Sequence, residues 1–490
     1  MSYVPVVYLF GWLLAIMSGF TLIPAAIALN FNETRAFTSF VLGGTSMAFF
    51  GGLLILGLWG RVTSISRSQS LILLTSVWLF IPAFASIPLY FSGHTDNWIS
   101  AFFETVSGFT TTGATIFENV SELPNSVLAW RALLQWLGGL LTLLGLAFLY
   151  GTSQVRSFQD TSVSLRGKSR TGGAWFSNAA FKAVLPLYLI FTALCFTLLV
   201  FTGIPTFDAF CIAMSTVSSG CFMPTNGTIQ SYGTVSALPV LIVFMYFSAV
   251  SVFWVRRLFS TRKFERDRQR EPLWVLSAIV IISLPLIFQL AIKDPEPEAF
   301  AFLSDILFGL AAATSLVTTT GFMVTDQLAD AFPYIILLSV CFVGGGRMST
   351  AGGLKFHRMG AMLHHSGQEL RRLIYPHGIV SEAISSFQRG KDPMRTIWVN
   401  FALVLLIMTA STTVLSLAGL SLSSALLATV SSMSNIGPAY NFIAVPGDSL
   451  AATYGELETF AQMNLTFVMI AGRIEILALL SLINFAYWQN

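Results

Sequence analysis

Long apolar runs, broken by short polar stretches, dominate the chain. The runs over 5–30, 37–60, 70–92, 127–150, 178–203, 235–255, 272–292, 333–362, 397–420 and 460–487 reach the about 20 residues that a helix needs to cross bilayer hydrocarbon. None alternates apolar and polar positions as a membrane barrel strand must. The pattern predicts an all-α polytopic membrane protein with about ten transmembrane helices. The first run has no charged leader or small-residue cleavage site and carries Pro24, which predicts a retained helix rather than a signal peptide.

Composition fixes the solvent. With 54% of 490 residues apolar and 10% charged, and a mean hydropathy of +0.73, the chain cannot cover a water-facing surface with polar groups, so membrane lipid must surround it. The formal charge of +3 adds little, but its distribution is informative. Arg61 and Arg67 fall in loop 61–69, and Arg156, Arg166, Lys168 and Arg170 in 151–177. Arg256, Arg257, Arg262, Lys263, Arg266, Arg268 and Arg270 fall in 256–271, and Arg371, Arg372, Arg389, Lys391 and Arg395 in 363–396. The alternate loops carry acids such as Asp96, Glu118, Asp294, Glu296, Asp326 and Glu456. Cationic loops stay in the cytoplasm, which places both termini there as well. A basic loop could also serve nucleic acid, but beside spanning helices topology accounts for it and no nucleic-acid partner is expected. The four cysteines have no CxxC spacing, and His364 and His365 are sequence neighbours that do not share a helix face, so neither a disulfide framework nor a zinc site is predicted.

Between the spans, a shorter semi-polar segment recurs four times. It reads AFFETVSGFTTTGAT (101–115), DAFCIAMSTVSSGCF (208–222), LAAATSLVTTTGF (310–322) and SALLATVSSMSNIGPAY (424–440). Gly113, Gly220, Gly321 and Gly437 are 107, 101 and 116 residues apart, a period near one hundred. Each unit reads as a spanning helix, a half-helix dipping in from outside, an extended strand and a second spanning helix. Irregular backbone at membrane depth is tolerated where it lines a cavity. Four such strands, rich in hydroxyls and glycine, can aim carbonyls at a common axis and replace the hydration shell of a monovalent cation. The negative C-terminal ends of the half-helices favour a cation at the same place. One TTTG alone would be a chance helix end; four at equivalent points argue for a filter.

These segments, with WRALLQWLGG (130–139), GGGRMSTAGGLK (344–355) and GRIEIL (472–477), resemble the Trk/Ktr/HKT superfamily of potassium transporters, and within it the TrkH-type bacterial subunit, over essentially the whole chain. The resemblance implies four helix–pore–helix repeats around one pore, at 70–155, 156–265, 266–380 and 381–490, preceded by two extra helices in 1–69. It implies multi-pass residence in the bacterial inner membrane, potassium as the transported ion, a homodimer, and a cytosolic nucleotide-binding regulatory subunit of the TrkA type. No Walker A or GxGxxG sequence is present, so a nucleotide would bind that partner rather than this chain. The basic loops are its expected docking surface.

Carried over residue by residue, the resemblance implies cation-coordinating backbone at Thr111 and Thr112, Ser219 and Gly220, Thr319 and Thr320, and Asn435 and Ile436. The filter glycine positions are then Gly113, Gly321 and Gly437, with Cys221 in the second repeat, counted thirteen residues from Asp208 as Gly113 is from Ser100. A cysteine there is expected to restrict the backbone and loosen discrimination of potassium from sodium.

The stretch 341–353 breaks an apolar span with Gly344, Gly345, Gly346, Arg347, Gly352 and Gly353. It reads either as a close small-residue helix crossing or, as the resemblance implies, as a flexible intramembrane gate below the filter. Arg473 lies mid-span and needs protein or water around it. It is either half of a structural ion pair or, by the resemblance, a charge at the pore axis; Glu475, two residues on, points to another face. Glu104, Asp208 and Asp305 either raise cation concentration at the mouth or stabilise helix starts, and Arg131 is expected to pair with such an acid. A proton- or sodium-coupled transporter is the alternative, although that class depends on buried titratable groups that are few here. No HExxH, GxSxG or paired membrane aspartates occur, so no enzyme is predicted.

Overall fold

The computed structural model describes residues 3–61, 67–152, 178–258, 271–293, 299–324, 332–375, 393–443 and 452–474. Among these residues the regular structure is helical throughout. In chain order the helices are α1 (Val4–Phe20), α2 (Leu22–Asn30), α3 (Thr34–Gly57), α4 (Arg67–Ser92), α5 (Trp98–Phe109), α6 (Asn125–Thr152), α7 (Asn178–Phe201), α8 (Thr206–Ser218) and α9 (Ala237–Ala249). They continue with α10 (Val252–Leu258), α11 (Glu271–Lys293), α12 (Ala299–Val317), α13 (Tyr334–Val343), α14 (Phe356–Ile374), α15 (Pro393–Leu417), α16 (Leu422–Met433), α17 (Ala439–Phe442) and α18 (Thr459–Arg473).

Among the described residues seven stretches are long and apolar enough to cross a membrane: Val4–Asn30, Thr34–Gly57, Gln69–Ser92, Asn125–Ala147, Val184–Phe201, Glu271–Ile292 and Met394–Leu417. Most present large apolar side chains outward, among them Phe49, Leu56, Ile190, Ile281, Phe288 and Leu406, as lipid-facing helices do. Asn125–Ala147 is instead mostly buried, which makes α6 the central post of the fold. Small residues set the packing of the N-terminal hairpin. A Cβ on Gly11 would sit 3.0 Å from the Gly51 carbonyl oxygen, so α1 and α3 cross backbone to backbone, the contact that small residues permit between helices in lipid.

Two expected spans are interrupted. The run 235–255 is helical only to Ala249, and a separate turn of helix starts at Val252. The run 333–362 stops at Val343 and resumes at Phe356, because Gly344 (φ +70°) and Gly353 (φ +76°) take left-handed conformations that end a helix. The last run is described as α18 up to Arg473, and its remainder lies outside the described residues. So do Glu475 and most of the basic loops 151–177, 256–271 and 363–396.

Four half-helices, α5, α8, α12 and α16, dip into the body and stop. Two begin on side-chain caps: Asn97 accepts from the Ser100 amide at 2.8 Å, and Ser421 from the Ser424 amide at 3.2 Å. Such caps satisfy amides that a helix start leaves open.

Candidate ion-binding site

The four half-helices end alike. Thr111 (φ +59°), Ser219 (φ +52°), Thr319 (φ +55°) and Asn435 (φ +54°) are left-handed without being glycine. The next amide reaches back five residues in each case. Thr112 donates to Ser107 O at 2.8 Å, Gly220 to Ser215 O at 2.7 Å, Thr320 to Ser315 O at 3.0 Å and Ile436 to Ser431 O at 2.8 Å. This is the Schellman closure with a side chain where glycine is usual. A left-handed residue with a Cβ costs roughly 1–2 kcal/mol, and four at equivalent points mark a strained, over-determined structure of the kind found at functional sites. The serines that close these turns, Ser107, Ser215, Ser315 and Ser431, each stand six before Gly113, Cys221, Gly321 and Gly437. Sequence reasoning overlooked this fixed offset, which sets the register independently.

The four segments meet. Gly437 N donates to Thr112 O at 2.7 Å and Asn435 Nδ2 to Thr112 Oγ1 at 2.8 Å, joining the first and fourth. A Cβ on Gly113 would collide with Cys221, and one on Gly321 would lie 2.8 Å from Cys221 Sγ and 3.0 Å from Ile436 Cγ1. The carbonyl oxygens of Thr319, Asn435 and Thr111 face Cys221 Sγ at 3.6, 3.8 and 3.9 Å. Of the remaining predicted ligands, Thr112 O takes the Gly437 amide, and Ile436 O takes the Ala439 amide at 3.0 Å because the fourth segment turns into α17 at once. At the four positions aligned with the filter glycines the backbone differs. Gly113 (φ +75°) and Gly321 (φ +66°) take the left-handed region there, whereas Cys221 and Gly437 do not.

Helix α6 braces this ring, which gives WRALLQWLGG a physical meaning. Arg131 Nε pairs with Glu104 Oε1 at 2.8 Å, both buried. The carboxylate also accepts from Ile116 N at 2.9 Å and Thr115 Oγ1 at 3.1 Å, so α5, its exit strand and α6 are tied together. The guanidinium lies over the Phe222 ring, 3.9 Å from its centroid. Glu104 therefore neither starts a helix nor faces the mouth. Asp208 sits in the first turn of α8 and accepts from Tyr232 Oη at 3.1 Å, and Asp305 is buried on α12. Gln135 donates to Ser215 Oγ at 2.9 Å and accepts from Phe222 N and Cys221 N at 3.0 and 3.1 Å, which pins the second segment. Gly138 lets α6 touch the Phe109 carbonyl; any side chain there would collide.

Beneath the ring lies the stretch Gly344–Lys355. It is a tightly bonded hairpin rather than a loose loop. Leu354 N donates to Phe342 O at 3.0 Å, Lys355 N to Val343 O at 2.8 Å, and Gly346 N to Ala249 O at 2.8 Å. It touches the ring directly. Thr350 Oγ1 is 2.6 Å from Ser219 Oγ, Gly352 N donates to Thr319 Oγ1 at 2.7 Å, and a Cβ on Gly352 would collide with Ser434 O. Two groups hold it from outside. Arg473 donates to Thr350 O at 2.7 Å and to Thr142 Oγ1 at 2.9 Å, and the Glu271 carboxylate accepts the Arg347 amide. Among the described residues no carboxylate pairs with Arg473, so the ion-pair reading has no support there. A cavity of about 60 Å³ opens between the hairpin, α6, α15, α16 and Arg473. Glu271 escaped notice in the sequence because it closes a basic loop, and the contacts of Thr350 did because two adjacent hydroxyls among glycines, Ser349 and Thr350, do not say which one meets the ring.

The fold defines a polytopic membrane protein in which four half-helix ends meet inside the helical body. The chain belongs to the family described as "TrkH: Cation transport protein", which matches residues 39–487. It is 30% identical over 445 residues to the Trk system potassium uptake protein TrkI of Halomonas elongata, covering 88% of this chain and 86% of that protein. It is 25% identical over 503 residues to the Trk system potassium uptake protein TrkH of Escherichia coli K12, covering 98% of each. The crystal structure of the potassium transporter TrkH from Vibrio parahaemolyticus shares the fold, with a TM-score of 0.83 over 100% of both chains at 24% identity.

Proposed function

We propose that this chain carries potassium into the bacterial cell across the cytoplasmic membrane, through a single channel-like pore whose filter is the ring of four helix ends. The observation that carries the reading is that three buried carbonyl oxygens, from Thr111, Thr319 and Asn435, converge from three different segments on one point. Oxygen ligands without formal charge suit a weakly hydrated monovalent cation better than a divalent one. Relatives named as potassium uptake proteins, matched over nearly the whole chain, favour potassium. In this reading the four repeats 70–155, 156–265, 266–380 and 381–490 each give one strand, with the carbonyls of Thr111, Ser219, Thr319 and Asn435 at the tightest level and Gly220 and Thr320 adjoining.

The hairpin around Gly344–Gly353 is the gate. It blocks the path below the ring, and Arg473 and Glu271 hold it there. Glu271 opens α11, directly after the basic segment 256–270, so a cytosolic regulatory subunit docking on that segment would pull on the gate. A homodimer and such a subunit complete the assembly, with both termini in the cytoplasm. The test is counter-flow of labelled potassium and sodium into liposomes holding only this protein. Passive conduction predicts uptake that follows the potassium gradient and survives collapse of proton and sodium gradients. Uptake abolished by collapsing either gradient would replace this mechanism with coupled transport.

A further inference from the structure

The second filter segment carries a chemistry the other three lack. Cys221 is buried, and its sulfur stands among the carbonyl oxygens of Thr319, Asn435 and Thr111 at 3.6, 3.8 and 3.9 Å. Gly113 and Gly321 leave the room it fills. A thiol has one proton, so it can serve one of these oxygens. Among the described residues none of the three accepts any other hydrogen bond, whereas buried carbonyls elsewhere nearly always find a donor. The Thr111 hydroxyl, on the same left-handed residue, is fully buried and also without a partner. The point is therefore an electronegative pocket with one soft ligand and several hard ones.

We propose that Cys221 turns the filter into a binding site for a soft monovalent cation such as Ag⁺, held by the sulfur and supported by these carbonyl oxygens, and that the bound ion blocks transport. Thiolate selects soft ions of this class. Binding exchanges one bond for another: Ag⁺ joins the sulfur, the S–H bond breaks, and its proton leaves to water at the outer mouth. Conduction needs each ion to be held weakly enough to be knocked on by the next. A silver–sulfur bond is not released in that way, so the path stays shut until a competing thiol removes the metal. This rests on the reading of the ring as the filter.

The test is rubidium uptake into proteoliposomes in chloride-free nitrate buffer with micromolar silver nitrate, each variant scored against its own silver-free flux. Three proteins are compared: wild type, Cys221→Ser, and a variant with Cys195, Cys211 and Cys341 all changed to Ser so that Cys221 is the sole cysteine. Silver should stop uptake by wild type and by the sole-cysteine variant, reversibly with excess free cysteine. The residual flux of Cys221→Ser should be at least about tenfold higher. Equal block of Cys221→Ser, or no silver bound by the sole-cysteine variant in native mass spectrometry, overturns the proposal. If Cys221→Ser does not fold, the sole-cysteine variant decides it through binding and block. Silver bound one per chain in that variant with flux unchanged would uphold the soft site and sink the filter reading, so the two failures are distinguishable.

Discussion

The first and second half-helix ends turn alike and differ in chemistry. Both close a half-helix on a serine carbonyl through a left-handed Thr111 or Ser219. The first then places Gly113 at φ +75°, and the second places Cys221 outside the left-handed region. Glycine is obligatory in the first, by conformation and because Cys221 fills the space beside it. In the second it is not required, and the chain uses that freedom to present a sulfur to the ring. Equivalent positions in a fourfold pseudo-repeat thus carry unequal constraints, and a repeat read from sequence says where residues lie but not which are interchangeable.

Substitutions can break this contrast. The largest effect is expected for Gly113→Ala, which adds a Cβ where both conformation and Cys221 forbid it. Rubidium uptake in proteoliposomes should fall to background, and uptake near wild type would show that the first segment tolerates what the second does. Next comes the brace. Arg131→Ala or Glu104→Ala strands a buried charge, and such losses cost about 3–5 kcal/mol. A marked drop in thermal stability in detergent is expected, with part of it recovered when both are replaced by apolar residues of similar size. Below the ring, Arg473→Ala, Glu271→Ala or deletion of Gly344–Gly346 should raise flux in the absence of any regulator several-fold, while Glu271→Gln, which still accepts the Arg347 amide, should stay near wild type. The smallest expected change is the one that sharpens the comparison most. Cys221→Gly should shift preference toward potassium over sodium in bi-ionic flux, and an unchanged ratio would leave the sulfur without a role in selectivity.

Much of this architecture is legible in the chain because lipid enforces it. Apolar runs must be helices, and four short segments rich in hydroxyls and glycine cannot recur by accident near a period of one hundred residues. The breaks at Val250 and Gly344 were partly legible: glycines announce the second, while nothing in ALPVLIVFMYFSAVSV announces the first. What the pattern could not supply was contact between distant segments. That Gln135 holds the Cys221 and Phe222 amides, that Thr350 touches Ser219, and that Glu271 caps Arg347 are pairings across 76 residues or more, fixed by packing rather than by local composition. The same limit hides the conformation at Cys221, since φ at a turn depends on the neighbouring strands.

Anomalous diffraction from crystals grown with rubidium in place of potassium tests the central claim directly. A peak on the axis enclosed by the Thr111, Ser219, Thr319 and Asn435 carbonyls, lost in Gly113→Ala, is the predicted result. Rubidium bound elsewhere in a transport-competent protein, with that ring bare, would contradict it.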